Sequence, residues 1–98
     1  MEFNPMLENV RNQAVAVGTS PVLLSTSRMR QELVITNTSS AAQTITLAFG
    51  TQAAATVGIF LNPYSSYYAS ASEGFRVYAG EIWAIGSAVA GQVSIFER

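Results

Sequence analysis

The residues of this sequence that could carry out chemistry are few, and the carboxylate pair Glu73 and Glu81 is the candidate for acid and base catalysis. Paired carboxylates perform glycoside hydrolysis, in which one protonates the leaving group and the other acts as base or nucleophile. The two glutamates bracket a predicted strand, Phe75 to Tyr78, and glutamate at a strand end is usually solvated. We therefore expect two exposed carboxylates, with a small glycan-cleaving enzyme as the weaker alternative.

The other residue types on which catalysis and metal binding depend are missing, because the sequence contains no His, Cys, Lys or Asp. Many Ser and Thr hydroxyls are available as nucleophiles, but no His or Lys is present to activate them. Transition-metal sites commonly use His or Cys, and calcium loops use closely spaced Asp. The composition predicts a protein that is not an enzyme, holds no metal or cofactor, and functions by binding or by building an assembly.

Aromatic residues cluster in one short stretch of the sequence. Exposed Tyr and Trp rings stack on sugars or anchor protein interfaces. Tyr67 and Tyr68 are adjacent and point to opposite faces of a strand, so we expect one of them to be exposed. The stretch predicts core aromatics with tyrosines at the rim, and a carbohydrate-binding module that uses the tyrosines and Trp83 is the alternative. The members of the cluster are Tyr64, Tyr67, Tyr68, Phe75, Tyr78 and Trp83.

Charged residues make up 11% of the chain, five Arg and six Glu, against ~25% in a typical soluble domain. Such low charge suits a surface that is covered by copies of the same chain or by a larger assembly. A monomer kept in solution by hydroxyl and amide groups is the alternative. A net charge of −1 without a run of Arg cannot neutralise phosphates, so we expect no nucleic-acid partner.

No apolar run reaches the ~20 residues of a membrane span. The first residues also lack the basic start and the continuous apolar block of a secretion signal. We therefore expect no membrane partner, and synthesis in the cytoplasm of the producing cell.

Gly and Pro recur at short intervals between segments rich in Val, Ile, Leu, Phe, Tyr and Thr, which is typical of strands. Ile45, Leu47 and Phe49 alternate with Thr and Ala, as in a half-buried antiparallel strand. We predict an all-β fold, an antiparallel two-sheet β-sandwich of about eight short strands for which the jelly roll is one fitting topology. The candidate strand segments are 13–17, 22–25, 31–37, 43–49, 58–61, 66–70, 75–78, 81–85 and 92–96.

The chain is short enough to form a single domain. We expect residues 13–98 to be that β-sandwich domain and residues 1–12 to be an N-terminal arm, with a frayed terminus as the equal alternative. The segments Asn37–Ser40 and Ser87–Gly91 hold turn-forming residues and are predicted to be hairpin loops. Ala53–Ala55 is predicted to lie in an ordered loop because Thr and Val flank it.

Four segments together carry a family resemblance. They are a strand ending in Asn with a Ser-rich turn (Leu33–Ser39), a Gly-Ile-x-Leu-x-Pro segment (Gly58–Pro63), a Gly-x-Ile-Trp-Ala-Ile strand (Gly80–Ser87) and a closing Gly-x-Val-x-Ile-x-Glu (Gly91–Glu97). Over about residues 22–97 the chain resembles small all-β virion proteins of tailed bacteriophages. These segments contain turn and core residues and no catalytic motif.

The resemblance implies a structural protein of the virion. Many such proteins decorate or cement the head as trimers that sit where capsomers meet, and others attach at vertices or in tails. It implies a homotrimer on the capsid surface, made in the host cytoplasm, with the major capsid protein as partner and no nucleic acid or membrane partner. The low charge of the chain agrees with such a role, because a surface with few charged residues costs little free energy to desolvate when it is covered by a partner. The expected contact residues are Phe3, Pro5, Met6 and Leu7 in the arm and Tyr64, Tyr67 and Tyr68 in the domain.

Overall fold

The computed structural model describes residues 10–40, 42–71 and 76–98, which form eight strands in two antiparallel sheets. This architecture confirms the predicted all-β class and the two-sheet sandwich. The strands are β1 (Arg11–Val17), β2 (Val22–Ser25), β3 (Glu32–Asn37), β4 (Ile45–Phe49), β5 (Ile59–Leu61), β6 (Ser66–Ser70), β7 (Ile82–Gly86) and β8 (Gly91–Glu97).

The strand order identifies the sandwich as a jelly roll. Sheet A has the order β1-β8-β3-β6 and sheet B has the order β2-β7-β4-β5. β1 pairs with β8, β2 with β7, β3 with β6 and β4 with β5. This is the pairing of one long hairpin that is folded over into two sheets. An eight-stranded double sheet with this arrangement is the jelly-roll topology.

The connections between strands correct one prediction from the sequence. Asn37–Ser40 and Ser87–Gly91 were expected to be hairpin loops, yet β3 and β4 lie in different sheets, as do β7 and β8. Of the seven connections, only the one from β4 to β5 joins neighbours in the same sheet. Turn-forming residues mark where the chain reverses, but they do not decide whether the next strand pairs with the previous one or crosses to the opposite sheet.

The core lies between the two sheets and is built from the alternate residues that face inward. Ile45 and Leu47 are fully buried and Phe49 packs against the core, which confirms the predicted alternation in β4. Among the described residues, those buried in this core are Val17, Leu24, Leu33, Ile35, Ile45, Leu47, Leu61, Val77, Ile82, Ala84, Val93 and Ile95.

The outer face of sheet B is also partly apolar. Ala48 and Ile85 on this face are buried together with Ala53 from the β4–β5 connection, and Trp83 packs beside them. The connection therefore covers β4 from outside, so β4 is buried on both faces although its sequence predicted burial on one. The expectation that Ala53–Ala55 lies in a loop is confirmed.

One predicted strand, Phe75 to Tyr78, is not formed in the part that the structure describes. Residues 76–79 run without strand structure between β6 and β7. Val77 is nevertheless buried in the core, and Tyr78 lies half-buried against it. The apolar residues that suggested a strand thus fill the core from an irregular segment.

Candidate functional site

An exposed apolar edge is the clearest candidate for a binding surface. Among the strands that the structure describes, β5 is the last of sheet B and is paired on one side only, with β4. Val57, Phe60 and Tyr64 in and beside it are 65%, 51% and 73% exposed, and Ile59 is exposed as well. We call these four residues the β5 patch. A contiguous exposed apolar patch is a common feature of protein-protein interaction sites, which makes this edge a candidate.

The backbone on both sides of β5 has an unusual conformation. Thr56 and Tyr64, on either side of β5, have positive φ angles of 63° and 64°. Gly58 just before β5 also has a positive φ, at 133°. Bulky and β-branched residues rarely adopt this region, and each costs of order 1–3 kcal/mol. A side chain at Gly58 would meet the carbonyl of Leu47. Gly58 therefore has to lack a side chain, and Thr56 and Tyr64 beside β5 adopt a backbone conformation that their side chains do not favour.

Hydrogen bonds fix the C-terminal side of the β5 patch. The Tyr64 amide donates to the carbonyl of Asn37 over 2.7 Å. The Asn37 side chain is fully buried, and its Nδ2 donates to the carbonyls of Gln43 and Leu61 over 2.8 and 3.1 Å. These bonds tie the end of β3 in sheet A to β5 in sheet B, so Tyr64 is presented from a rigid support.

The tyrosines predicted as contact residues lie in three different places. Tyr64 belongs to the β5 patch. Tyr68 lies exposed on the outer face of sheet A, where its hydroxyl donates to Glu32 over 3.3 Å. Tyr67 is half-buried on the inner face, edge-on to Phe49 at 5.2 Å between ring centres. The expectation that one of Tyr67 and Tyr68 is exposed is confirmed, while Phe3, Pro5, Met6 and Leu7 lie outside the described residues.

The aromatic cluster of the sequence does not form one stacking platform among the described residues. Tyr78 packs on Phe49 at 5.3 Å, on the core side. Trp83 lies on the outer face of sheet B, and its Nε1 donates to Glu81 over 3.2 Å. Glu81 is thus engaged by an indole N–H, and Glu73, its proposed catalytic partner, lies outside the described residues.

A buried charge cluster occupies the other side of the sandwich, around Glu97 at the end of β8. We call Glu97 and the residues that contact its carboxylate the Glu97 cluster. The Glu97 carboxylate is fully buried. Its Oε1 accepts from Nε of Arg30 over 2.7 Å and its Oε2 accepts from Nη1 of Arg11 over 2.6 Å. The hydroxyl of Ser25 lies 2.8 Å from Oε2, and Nη1 of Arg28 lies 3.7 Å from the same oxygen.

Arg30 is fully saturated in this cluster. Besides Nε, its Nη1 donates to the carbonyls of Tyr78 and Gly80, and its Nη2 donates to the Ser25 hydroxyl and the Thr26 carbonyl. All five donors of a guanidinium are therefore used. Arg30 has a structural role, since it joins β8, the end of β2 and the segment before β7.

The ionisation of Glu97 follows from these contacts. Burial pushes its pKa upward, but hydrogen bonds from Arg30, Ser25 and Arg11 together with the Arg30 charge outweigh burial and hold the pKa below its ordinary value. Glu97 is thus a carboxylate at neutral pH. On the outer face of sheet A, the hydrogen bond from Arg98 chiefly lowers the pKa of the exposed Glu32.

The sequence contains a pattern that predicts burial of Glu97, although glutamate as a residue type suggests exposure. Glutamate is usually exposed, yet Glu97 lies in phase with Gly91, Val93 and Ile95, which all face inward along β8. Period-two alternation alone would have placed its carboxylate inside. No comparable pattern pointed to Arg30, because it lies outside the strands.

Within residues 10–40, 42–71 and 76–98, no group of three or more acidic, His or Cys side chains could hold a metal ion. In the same ranges no helix is long and apolar enough to cross a bilayer. Comparison with known proteins found no matching family model, no similar curated protein and no similar solved structure.

Proposed function

We propose that this chain is a structural virion protein that decorates the outside of a bacteriophage head as a homotrimer and stabilises it by bridging subunits of the major capsid protein. The observation that carries the proposal is the β5 patch. A small domain with few charges exposes a strained, apolar edge at which burial against another protein removes unfavourable contact with water. The tail or a vertex is the alternative location on the virion.

The energetics of the β5 patch suit attachment to a lattice. Fully burying a large apolar side chain is worth about 1.5–3 kcal/mol, so a few residues supply a modest interface. A protein with several identical attachment points multiplies such weak contacts without additional chemistry. A trimer on a shell meets this condition, because one copy that is bound places the other two at high effective concentration.

The charge distribution supports the same function. Arg30 and Glu97 are buried in the Glu97 cluster and so do not contribute charge to the surface. Glu32 on the outer face of sheet A is paired with Arg98 over 2.8 Å. A partner that covers the surface thus meets few charges whose desolvation would oppose binding. The family resemblance of residues 22–97 gives the specific assignment to a phage head.

The first test is the mass of the purified protein, measured by light scattering coupled to size exclusion across a dilution series. We expect three times the 10.5 kDa of one chain. Phe60→Ser and Val57→Ser should weaken attachment of the protein to heads and leave both the trimer and the thermal midpoint nearly unchanged, because both side chains are exposed. Val89→Ser is the matched control, since Val89 is 83% exposed in another loop.

The second test examines attachment to the shell. Heads of the parent phage assembled without this protein should release DNA at a lower temperature, and addition of the purified protein should restore their resistance. Heads that gain neither bound protein nor resistance would overturn the decoration function, and a monomer at all concentrations would overturn the trimer. Binding to tails alone would favour the alternative location.

A further inference from the structure

Most of β1 lies at the surface of the sandwich. Of its seven residues only Val17 is buried, whereas four are exposed, namely Asn12, Gln13, Ala14 and Ala16. In the described part of the chain β8 is the one strand beside it, so one edge of β1 has no partner strand there. A segment with few buried apolar contacts and with hydrogen bonds at an exposed edge opens more readily than the core.

The C-terminal end of β1 is anchored firmly. Val17 is buried in the core, and the Gly18 carbonyl accepts a hydrogen bond from the Gly86 amide over 2.7 Å. A side chain at Gly91 would meet the carbonyl of Val17, so the start of β8 packs directly on this end of β1. Displacing Val17 would therefore disturb both the core and the backbone of two other strands.

The N-terminal end of β1 is held by the side chain of Arg11. Its Nη1 donates to Oε2 of Glu97 over 2.6 Å, and its Nη2 donates to the Leu24 carbonyl over 3.0 Å. These bonds connect the end of β1 to β8 in its own sheet and to β2 in the opposite sheet. Because the Arg11 side chain is 30% exposed, it can leave these acceptors for water without crossing the core.

Glu97 keeps other partners when Arg11 leaves. Its Oε1 accepts from Nε of Arg30 over 2.7 Å, and the Ser25 hydroxyl lies 2.8 Å from its Oε2. Ser25 ends β2 and Arg30 lies between β2 and β3, so neither moves with β1. The buried carboxylate thus remains compensated, and release of Arg11 avoids the large cost of an unpaired buried charge.

Between its two ends β1 has few contacts that hold it in place. Val15 is half-buried against the core, and the exposed Ala14 lies opposite Ser94 of β8. The entropy lost when a residue is ordered is similar in size to the net gain from one backbone hydrogen bond. The Arg11 contacts therefore supply much of what keeps residues 11–15 on β8.

We propose that residues 11–15 form a hinged segment, the β1 flap, and that the Arg11–Glu97 ion pair is the latch that keeps it closed. The flap turns at Ala16 while the anchored end of β1 stays in place. Opening exposes the edge of β8 over residues 93–97, and the domain stays folded because β8 remains paired with β3. A free strand edge is where a sheet accepts a further strand. The flap thus controls access to this edge, independently of the proposed function.

The test is amide hydrogen exchange of the full chain at neutral pH, measured by NMR at several low urea concentrations. We expect the protected amides of the β1 flap to have protection factors at least about tenfold lower than those of β3. Their exchange should not depend on urea, because a local opening exposes little surface. Arg11→Gln should lower the flap protection factors about tenfold further, because a hydrogen bond to a charged group is lost. Equal protection and equal urea dependence in β1 and β3 would overturn the flap, since both strands would then open only by unfolding of the domain.

A disulfide lock tests the β1 flap without relying on Arg11. The chain has no Cys, and Ala14 lies directly opposite Ser94, so Ala14→Cys with Ser94→Cys places two thiols at a distance suited to a disulfide. Oxidation should slow exchange of the flap amides at least about tenfold, and reduction should restore it.

The matched control for the lock is Thr36→Cys with Ser66→Cys, an opposed pair that joins β3 to β6. Its oxidation should leave exchange of the flap amides unchanged, because the β1 flap opens without separating these strands. Flap exchange that is not slowed by the oxidised lock, or that is slowed equally by the control disulfide, would refute a local opening of β1.

Discussion

The Glu97 cluster and the β5 patch reverse the usual arrangement of a small protein, in which charges lie outside and apolar groups inside. At the cluster, a carboxylate and a guanidinium are fully buried and joined by short hydrogen bonds. At the β5 patch, four apolar or aromatic side chains lie exposed on a strained edge. The cluster satisfies its polar groups inside the chain, whereas the patch leaves its apolar groups exposed, where the proposed partner would cover them.

The comparison separates stability from function. Removing one member of a buried ion pair leaves an uncompensated charge and is strongly destabilising. Changing an exposed apolar residue alters little in the isolated chain, because that residue has few contacts to lose. We therefore expect substitutions in the Glu97 cluster to lower the stability of the fold, and substitutions in the β5 patch to weaken the proposed docking.

The largest effect is expected for Glu97→Gln, which leaves three guanidinium groups without their shared carboxylate. We expect a loss of about 3–5 kcal/mol in the free energy of unfolding, measured by urea denaturation. Glu32→Gln is the control, since Glu32 is the carboxylate of an exposed ion pair and its loss should be small. Equal losses in the two variants would refute the structural role of the buried cluster.

Acid should reproduce part of this effect in the parent protein. The pKa of Glu97 in the folded chain is lowered from an ordinary value of 4.5, so its contribution to stability is present above that pH and is lost as pH falls through the lowered folded value. Glu97 is faced by Arg11, Arg28 and Arg30.

The thermal midpoint should therefore fall steeply below about pH 4.5. The Glu97→Gln variant should show a shallower fall, because the carboxylate with a lowered pKa that remains among the described residues is Glu32, which has only one ion-pair partner there, Arg98. A parent and a variant with the same pH profile would assign the acid sensitivity to other groups.

The smallest change in stability is expected at the β5 patch. Tyr64→Asn places a residue that tolerates positive φ at 64°, so the variant should be more stable by about 0.5–1 kcal/mol and should assemble less well. Tyr68→Asn changes an exposed tyrosine without positive φ and should show no such gain. Loss of stability in Tyr64→Asn would mean that the tyrosine ring contributes more than its strained backbone costs.

Much of the fold was predictable from the sequence because alternation and turn residues are local signals. The segments that became the eight strands were each placed within two residues of their observed ends. Pairing was not predictable in the same way. The hairpins expected at Asn37–Ser40 and Ser87–Gly91 instead cross between sheets, since pairing depends on residues distant in the chain.

The candidate site was predicted only in part. Tyr64 was singled out as an aromatic residue, but the exposure of Val57 and Phe60 depends on β5 being an edge strand, which the sequence does not encode locally. Glu97 was overlooked because its residue type suggested exposure while its phase along β8 suggested burial. Where residue type and periodicity disagree, the disagreement itself marks a buried polar group that has partners.

The wrapped strand order also governs how the chain can reach its native state. Among the described strands β1 pairs with β8 alone, and the bond from Arg11 to Glu97 spans 86 positions of the chain. Topologies dominated by such distant pairings fold in about milliseconds to seconds, because loop closure must precede the contacts that reward it. On the ribosome β1 lacks its partner strand until β8 has been synthesised, so sheet A closes only after the other seven strands have been made.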